Sequence, residues 1–260
     1  MEEFNIKDAR KKIIYYALKY KGDWDEIFNA ITRKEEYDEE FVNKELKNNK
    51  WKLVTVLDKE YPQKLKNIMK PPFVLFYYGD FSLINEEYSL GVVGSRNHLD
   101  YGSKVCEKLI GGLSKDIVIV SGLAKGIDAF AHQAALDNDL KTIAVLGVGI
   151  DRCYPKENFK LYMKIKKCGL LISEYPYKEV VSVNNFPMRN RLIAALSKSI
   201  LIPECKGRSG TLITVRFALE QGKDILVVPC SILEPLYNNQ LILEGAIPVI
   251  CSKDIEEQIK

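Results

Sequence analysis

The chain has 260 residues, 47 % of them hydrophobic and 28 % charged, and its 38 Lys and Arg against 35 Asp and Glu leave a net charge of +3. That length suits one large domain, or one with a small appendage, and the apolar share supports a full core. The near balance of charge excludes a histone-like or polybasic binder, so any nucleic-acid site must be a local patch. With only two histidines, His98 and His132, a His-rich metal centre is excluded as well.

The first 50 residues lack Pro and hold one Gly, Gly22. Ile13, Ile14, Ala17 and Leu18 space as one face of a helix. Asp23 is placed to cap a second helix, with Glu26 three residues on at capping-box spacing. Phe41, Val42 and Leu46 mark a third. Residues 1–55 therefore read as a small helical domain, too short for a large core, that leans on its neighbour. Residues 61–80, with Pro71-Pro72 and an apolar run at 73–78, read as a linker ending in a strand. The N-terminus has no apolar signal region, and no apolar run approaches the roughly 18 residues of a membrane span. A cytoplasmic protein is expected. Its six cysteines include no CxxC pair and are expected reduced and mostly buried.

From residue 88 the pattern becomes regular. Short apolar runs at 90–93, 117–120, 143–146, 170–172, 200–202, 225–228 and 248–250 alternate with helical stretches near 102–113, 127–137, 158–167, 188–197, 211–221 and 239–245. Apolar runs without alternation suit strands buried on both faces, as in a parallel sheet. Strand–helix repetition then predicts an α/β fold: a doubly wound, mostly parallel sheet over residues 56–260, behind the small helical domain.

In such a sheet, ligands bind beyond the carboxyl ends of the strands. The segments there are rich in Gly, Ser, Arg and Lys. Gly94-Ser95-Arg96 follows one strand and has the make-up of an anion site, with backbone N–H, hydroxyl and guanidinium donors; the plainer alternative is a turn with a surface Arg. Ser209-Gly210-Thr211, before a helix, is a second such segment. Between residues 186 and 210 stand Arg189, Arg191, Lys198, Lys206 and Arg208 against one acid, Glu204. Phe186 beside Arg189, Asn190 and Arg191 suits stacking of a base between gripped phosphates, or else a buried ring that anchors a loop. Lys156 adds a cation to the same rim. Asp128 and His132, four apart, are an acid–base pair or a capping Asp with a packed histidine. No P-loop and no GxSxG elbow occurs, and Gly147-Val148-Gly149 lacks the third glycine of a dinucleotide fingerprint.

The segments GVVGSRNHLDYG (91–102), SGLAKGIDAFAH (121–132), TIAVLGVGIDRCYPKEN (142–158), SEYP (173–176), FPMRNRLIAALS (186–197), SGTLITVRFALEQGKDILVVP (209–229) and NQLILEGA (239–246) occur in this order. Together they resemble the DNA-processing protein A family (DprA/Smf). The resemblance implies an extended Rossmann-like domain that binds single-stranded DNA as a homodimer, shields incoming strands during natural transformation, displaces single-strand binding protein and loads the RecA recombinase. Carried over by motif, Gly94, Ser95 and Arg96 grip a backbone phosphate, Lys156, Phe186, Arg189, Asn190 and Arg191 line the strand path, and Ser209, Gly210 and Thr211 form a second phosphate cradle.

The chain departs from the family at Cys230, where Gly is usual, and in a shortened stretch at 233–238. It stops at Lys260, so the winged helix of many members is not expected. Two other classes share this Rossmann variant. Phosphoribohydrolases carry PGGxGTxxE, but Thr214 stands at the Glu position. A sensor of a nucleotide-derived signal has no use for Phe186 and paired arginines on the rim. No enzymatic activity, cofactor or metal is expected. Leu241, Ile242 and Leu243 are consecutive, so one helix cannot turn all three into a core; with the family's dimerisation, they mark an expected interface.

Overall fold

Short apolar runs, buried on both sides, form the centre of the molecule. The computed structural model describes residues 2–177, 182–207 and 209–260. In chain order, α1 (Glu2–Lys19), α2 (Trp24–Thr32) and α3 (Glu39–Asn48) lead into β1 (Lys52–Thr55), α4 (Gln63–Lys66) and β2 (Val74–Gly79). Then come β3 (Ser89–Val92), α5 (Asp100–Gly111), β4 (Val118–Ser121), α6 (Ile127–Asp137), β5 (Thr142–Leu146), α7 (Phe159–Cys168) and β6 (Leu170–Ser173). The chain ends with α8 (Asn185–Leu196), β7 (Ser199–Ile202), α9 (Gly210–Glu220), β8 (Asp224–Val227), α10 (Asn238–Leu243), β9 (Ile247–Pro248) and α11 (Ser252–Ile259).

The strands form one nine-stranded sheet in the order β1-β2-β6-β5-β4-β3-β7-β8-β9. It is parallel from β6 to β9, with β1 and β2 added antiparallel at one edge. This is the expected α/β architecture. Val118 and Val120 pack with Leu192 and Phe217 on one face, while Ile119 between them packs with Ile110 and Ala131 on the other. That division is why the runs show no polar alternation.

The N-terminal helices dock on the antiparallel edge. Asp23 caps α2 through the Glu26 N–H, at 3.0 Å. Trp24 stacks on Phe28 and Phe73, each at 5.2 Å, and donates from Nε1 to the Pro71 carbonyl at 2.8 Å. Ile13, Tyr16 and Ile27 share a buried cluster with Phe76, Leu146 and Leu171 of the sheet. Two expectations change here. Residues 52–55 are a strand paired with β2, Lys52 opposite Tyr77. The segment read as a linker contains α4 and buries Tyr61 and Leu65 in the core. All six cysteines are free, but only Cys106 and Cys205 are buried. Among the described residues no helix is long and apolar enough to cross a membrane.

From β3 the chain winds outward through β4, β5 and β6, then returns to β7 on the other side of β3. The winding direction reverses between β3 and β7, and such a switch point opens a crevice beyond the strand ends. Gly94 and Pro203 lie at its two lips.

Candidate nucleic-acid interface

Three loops meet at this switch point, and their backbones are stitched together. The Ser95 N–H donates to the Glu204 carbonyl at 3.0 Å, and the Ile127 N–H donates to the Ser95 carbonyl at 3.2 Å. The approach is close enough that a Cβ on Gly94 would lie 2.6 Å from the Glu204 carbonyl oxygen. Gly126 has φ +84°, and a Cβ there would collide with the Ser95 carbonyl oxygen; only glycine fits both demands. Around the stitch lies a cavity of about 400 Å³. Residues 93–97 wall one side, Lys206, Gly207 and the first turns of α9 the other, and α8 closes it with Phe186, Arg189, Asn190 and Ile193.

The mouth is cationic. Arg96 is exposed, with its guanidinium 5.7 Å from the Phe186 ring centroid. Lys206 Nζ donates to the Asn97 carbonyl at 2.6 Å, which draws its charge over the opening. Ser209 stands at the N-cap of α9, and Gly210 and Thr211 present that helix's N-terminus to the cavity, a site where backbone N–H groups and the helix dipole favour an anion. The floor differs. Asp128 lines it at 7 % exposure, its Oδ2 accepting from the N–H groups of Gly122 (3.2 Å) and Ala124 (3.4 Å). Burial pushes the Asp128 carboxyl up, while the Arg189 guanidinium pulls it back. The hydroxyl of Ser95 is buried without a hydrogen-bond partner.

Residues 52–260 match the model of a family described as DNA recombination-mediator protein A. The chain belongs to that family. It is 44 % identical to the DNA processing protein DprA of Streptococcus pneumoniae over 220 residues, covering 84 % of this chain and 77 % of that one. Against DprA of Bacillus subtilis the identity is 39 % over 209 residues, 79 % of this chain and 70 % of the other. The X-ray structure of the S. pneumoniae protein superposes with a TM-score of 0.82 at 38 % identity, covering 96 % and 93 % of the two chains. DNA processing protein A of Helicobacter pylori, solved to explain its single-stranded DNA binding mode, gives 0.74 at 28 % identity, over 81 % of this chain and 95 % of that one.

In this member of the recombination-mediator family, the cavity gathers Gly94, Ser95, Arg96, Phe186, Arg189, Asn190, Ser209, Gly210 and Thr211 from the candidate residues. Lys156 is exposed just outside it, on a short turn that Asn158 ties to the Leu123 and Ala124 carbonyls at 3.0 and 3.2 Å. Arg191 is elsewhere. It is 1 % exposed and donates to both Glu174 oxygens at 2.6 and 2.5 Å, so it has no surface to offer a strand. Arg189 reaches the cavity wall, but Nη1 donates to the carbonyls of Gly122 and Val145, and burial lowers its pKa to about 10. The Ser95 N–H, expected to face an anion, is occupied by Glu204, which leaves the hydroxyl for that role. Lys198 opens β7, at the far end of the sheet from the cavity, and Arg208 lies outside the described residues. The basic surplus counted along the sequence therefore reduces, at the cavity, to Lys206 and the half-committed Arg189, with Arg96 supplied by another loop.

Phe186 is half-buried between Gly147, the Tyr154 ring at 5.5 Å and Arg96. Tyr154, 45 % exposed, is the freer stacking surface; its place between two candidate loops was the available signal. Asp128 and His132 make no pair. His132 is fully buried, its Nδ1 2.7 Å from Thr142 Oγ1, and burial holds its pKa near 3. On α10, Leu241 is buried, Ile242 half-buried and Leu243 82 % exposed.

Proposed function

We propose that this protein binds single-stranded DNA at the β3/β7 crevice, shields incoming strands during natural transformation, displaces single-strand binding protein and loads RecA on the strand. It acts in the cytoplasm as a homodimer joined through the α10 region. The observation that carries this is the placing of Arg96, Lys206 and the α9 N-terminus around one cavity that also holds Phe186 and has Tyr154 beside it. Gly94, Ser95, Arg96, Asn190, Ser209, Gly210 and Thr211 bind the backbone there, with Lys156 at the rim. The single-strand binding mode described for the H. pylori relative supports the same assignment.

Cations grip phosphates, and a ring offers a face to any unpaired base, which a duplex keeps inside its own stack. A narrow crevice with few cations selects strands whose bases are free. Titration of single-stranded and duplex oligonucleotides of equal length, at two salt concentrations, tests this. Single strands should bind more tightly, with a log–log salt slope of about −0.7 per phosphate contact. Equal affinity for both forms would sink the proposal. For the loading step, the protein should shorten the lag in RecA ATPase activity on strands coated with single-strand binding protein. No catalytic step is included, because Thr214 lines the cavity where a phosphoribohydrolase has its Glu. Release of free base from nucleoside monophosphates would overturn that part.

A further inference from the structure

One group at the cavity does not suit a phosphate. A carboxylate aimed at a bound phosphate repels it, more strongly in a crevice than in open water. Yet Asp128 lines the floor, and among the described residues its Oδ1 takes no hydrogen bond, while Oδ2 holds two backbone N–H groups. An acceptor left open toward a cavity calls for a donor on the ligand. Next to it is a hydroxyl in the same condition. Ser95 is 4 % exposed, lines the cavity and has no partner for Oγ. The two are held side by side, since the N–H of Ile127, the residue before Asp128, donates to the Ser95 carbonyl.

An open acceptor beside a hydroxyl that can donate has a counterpart on a nucleobase. Cytosine and adenine carry an exocyclic amino group next to an unprotonated ring nitrogen on their pairing edge. The amino N–H matches Asp128 and the ring nitrogen matches the Ser95 hydroxyl. Uracil and thymine carry a carbonyl oxygen next to a ring N–H, which sets oxygen against the carboxylate and leaves it unpaired. The cations stay at the mouth, where the phosphates of the same strand remain. We propose that the crevice takes one base of the bound strand, and that Asp128 with Ser95 selects a base bearing an exocyclic amino group. This presupposes that single strands bind at the crevice.

Oligo(dC) and oligo(dU) of one length share backbone and ring shape and differ on the pairing edge, so their ratio isolates this contact. Anisotropy titrations at pH 8, where oligo(dC) stays unstructured, should show oligo(dC) binding about tenfold more tightly, the scale of one well-formed base contact. Asp128→Asn keeps an oxygen for the Gly122 and Ala124 N–H groups and turns an NH₂ toward the cavity, so the preference should reverse to oligo(dU). Ser95→Ala, which removes only a hydroxyl, should lower the ratio to about threefold. Equal binding of the two oligomers by the native protein, or a preference for oligo(dU), overturns base selection while leaving strand binding intact. A preference unchanged in folded Asp128→Asn overturns the role of Asp128. Binding of neither oligomer overturns the strand-binding proposal and this one with it.

Discussion

Replacing Arg191 by Met should weaken the fold and spare DNA binding. The guanidinium makes a two-pronged pair with Glu174, at 2.6 and 2.5 Å. It also donates to the carbonyls of Met69 (3.1 Å), Lys70 (2.6 Å) and Met188 (2.7 Å), tying α8 to the segment before β2 and to the end of β6. Met keeps the apolar volume of the stem. It leaves Glu174, itself 7 % exposed, with a buried charge and three carbonyls without their donor. Breaking one side of a buried pair costs about 3–5 kcal/mol. In a chain of this size about 1 kcal/mol moves the melting temperature by about 2–4 °C, so a fall of about 6–20 °C is expected in a calorimetric melt. Adding Glu174→Leu removes the stranded charge and should recover much of the loss, a coupling that a double-mutant cycle measures. Single-strand affinity, taken well below the melting range, should match the native protein. An unchanged melt together with a tenfold loss of affinity would show that the guanidinium serves the strand, and the reasoning from burial would be wrong.

Other outcomes follow from the same geometry. Arg96→Ala should lower single-strand affinity by ten- to a hundredfold, from a lost charged hydrogen bond of about 1.5–3 kcal/mol, with no change in melting; normal binding would make Arg96 a bystander. Tyr154→Ala and Phe186→Ala should each lose about 1–3 kcal/mol of binding with an unaltered salt slope, because stacking is not ionic; a flatter slope in either would mean that the ring only props its neighbouring cation. His132 titrates near 3 when folded against an ordinary value of 6.5, so the unfolded chain takes up the proton first. Its contribution is complete above about pH 6.5 and is lost toward pH 3 at about 1.4 kcal/mol per pH unit, a slope that His132→Asn should flatten in denaturant titrations and that must persist nowhere else if His132 is its source. Light scattering should give about twice the 29.7 kDa protomer mass, and Leu243→Arg should return the protomer; a protomer mass in the native protein, unchanged on concentrating, defeats the dimer.

The parallel strands were legible because burial on both faces removes polar alternation. Every apolar run from residue 90 onward became a strand within a residue or two, and the helices between them followed. The antiparallel edge was not. In β1 only Val54 and Thr55 are buried, and Lys52 is exposed, so four residues carry no period that a reader could separate from the helices before them. Pairing with β2, across some 20 residues of chain, makes it a strand. Likewise Tyr61 and Leu65 look like linker residues until α4 folds them onto α8.

At the site, the loops were legible and the free groups were not. Glycine, serine and arginine after a strand mark a crevice, but sequence does not say which donors the fold itself uses. The Ser95 N–H, Arg189 and Arg191 are all committed to internal partners. Arg189 and Arg191 are two apart on α8, so they cannot share a face; one meets the cavity wall and the other Glu174. A count of charge along the chain adds them together, whereas the helix sends them apart. What the fold leaves uncommitted is ordered by depth. Cations and a helix N-terminus stand at the mouth, and an acceptor and a hydroxyl stand at the floor. A bare phosphate would satisfy the first set and clash with the second. A nucleotide unit satisfies both, with its phosphate outside and its base within, and so a crevice of small net charge can still belong to a protein that works on DNA.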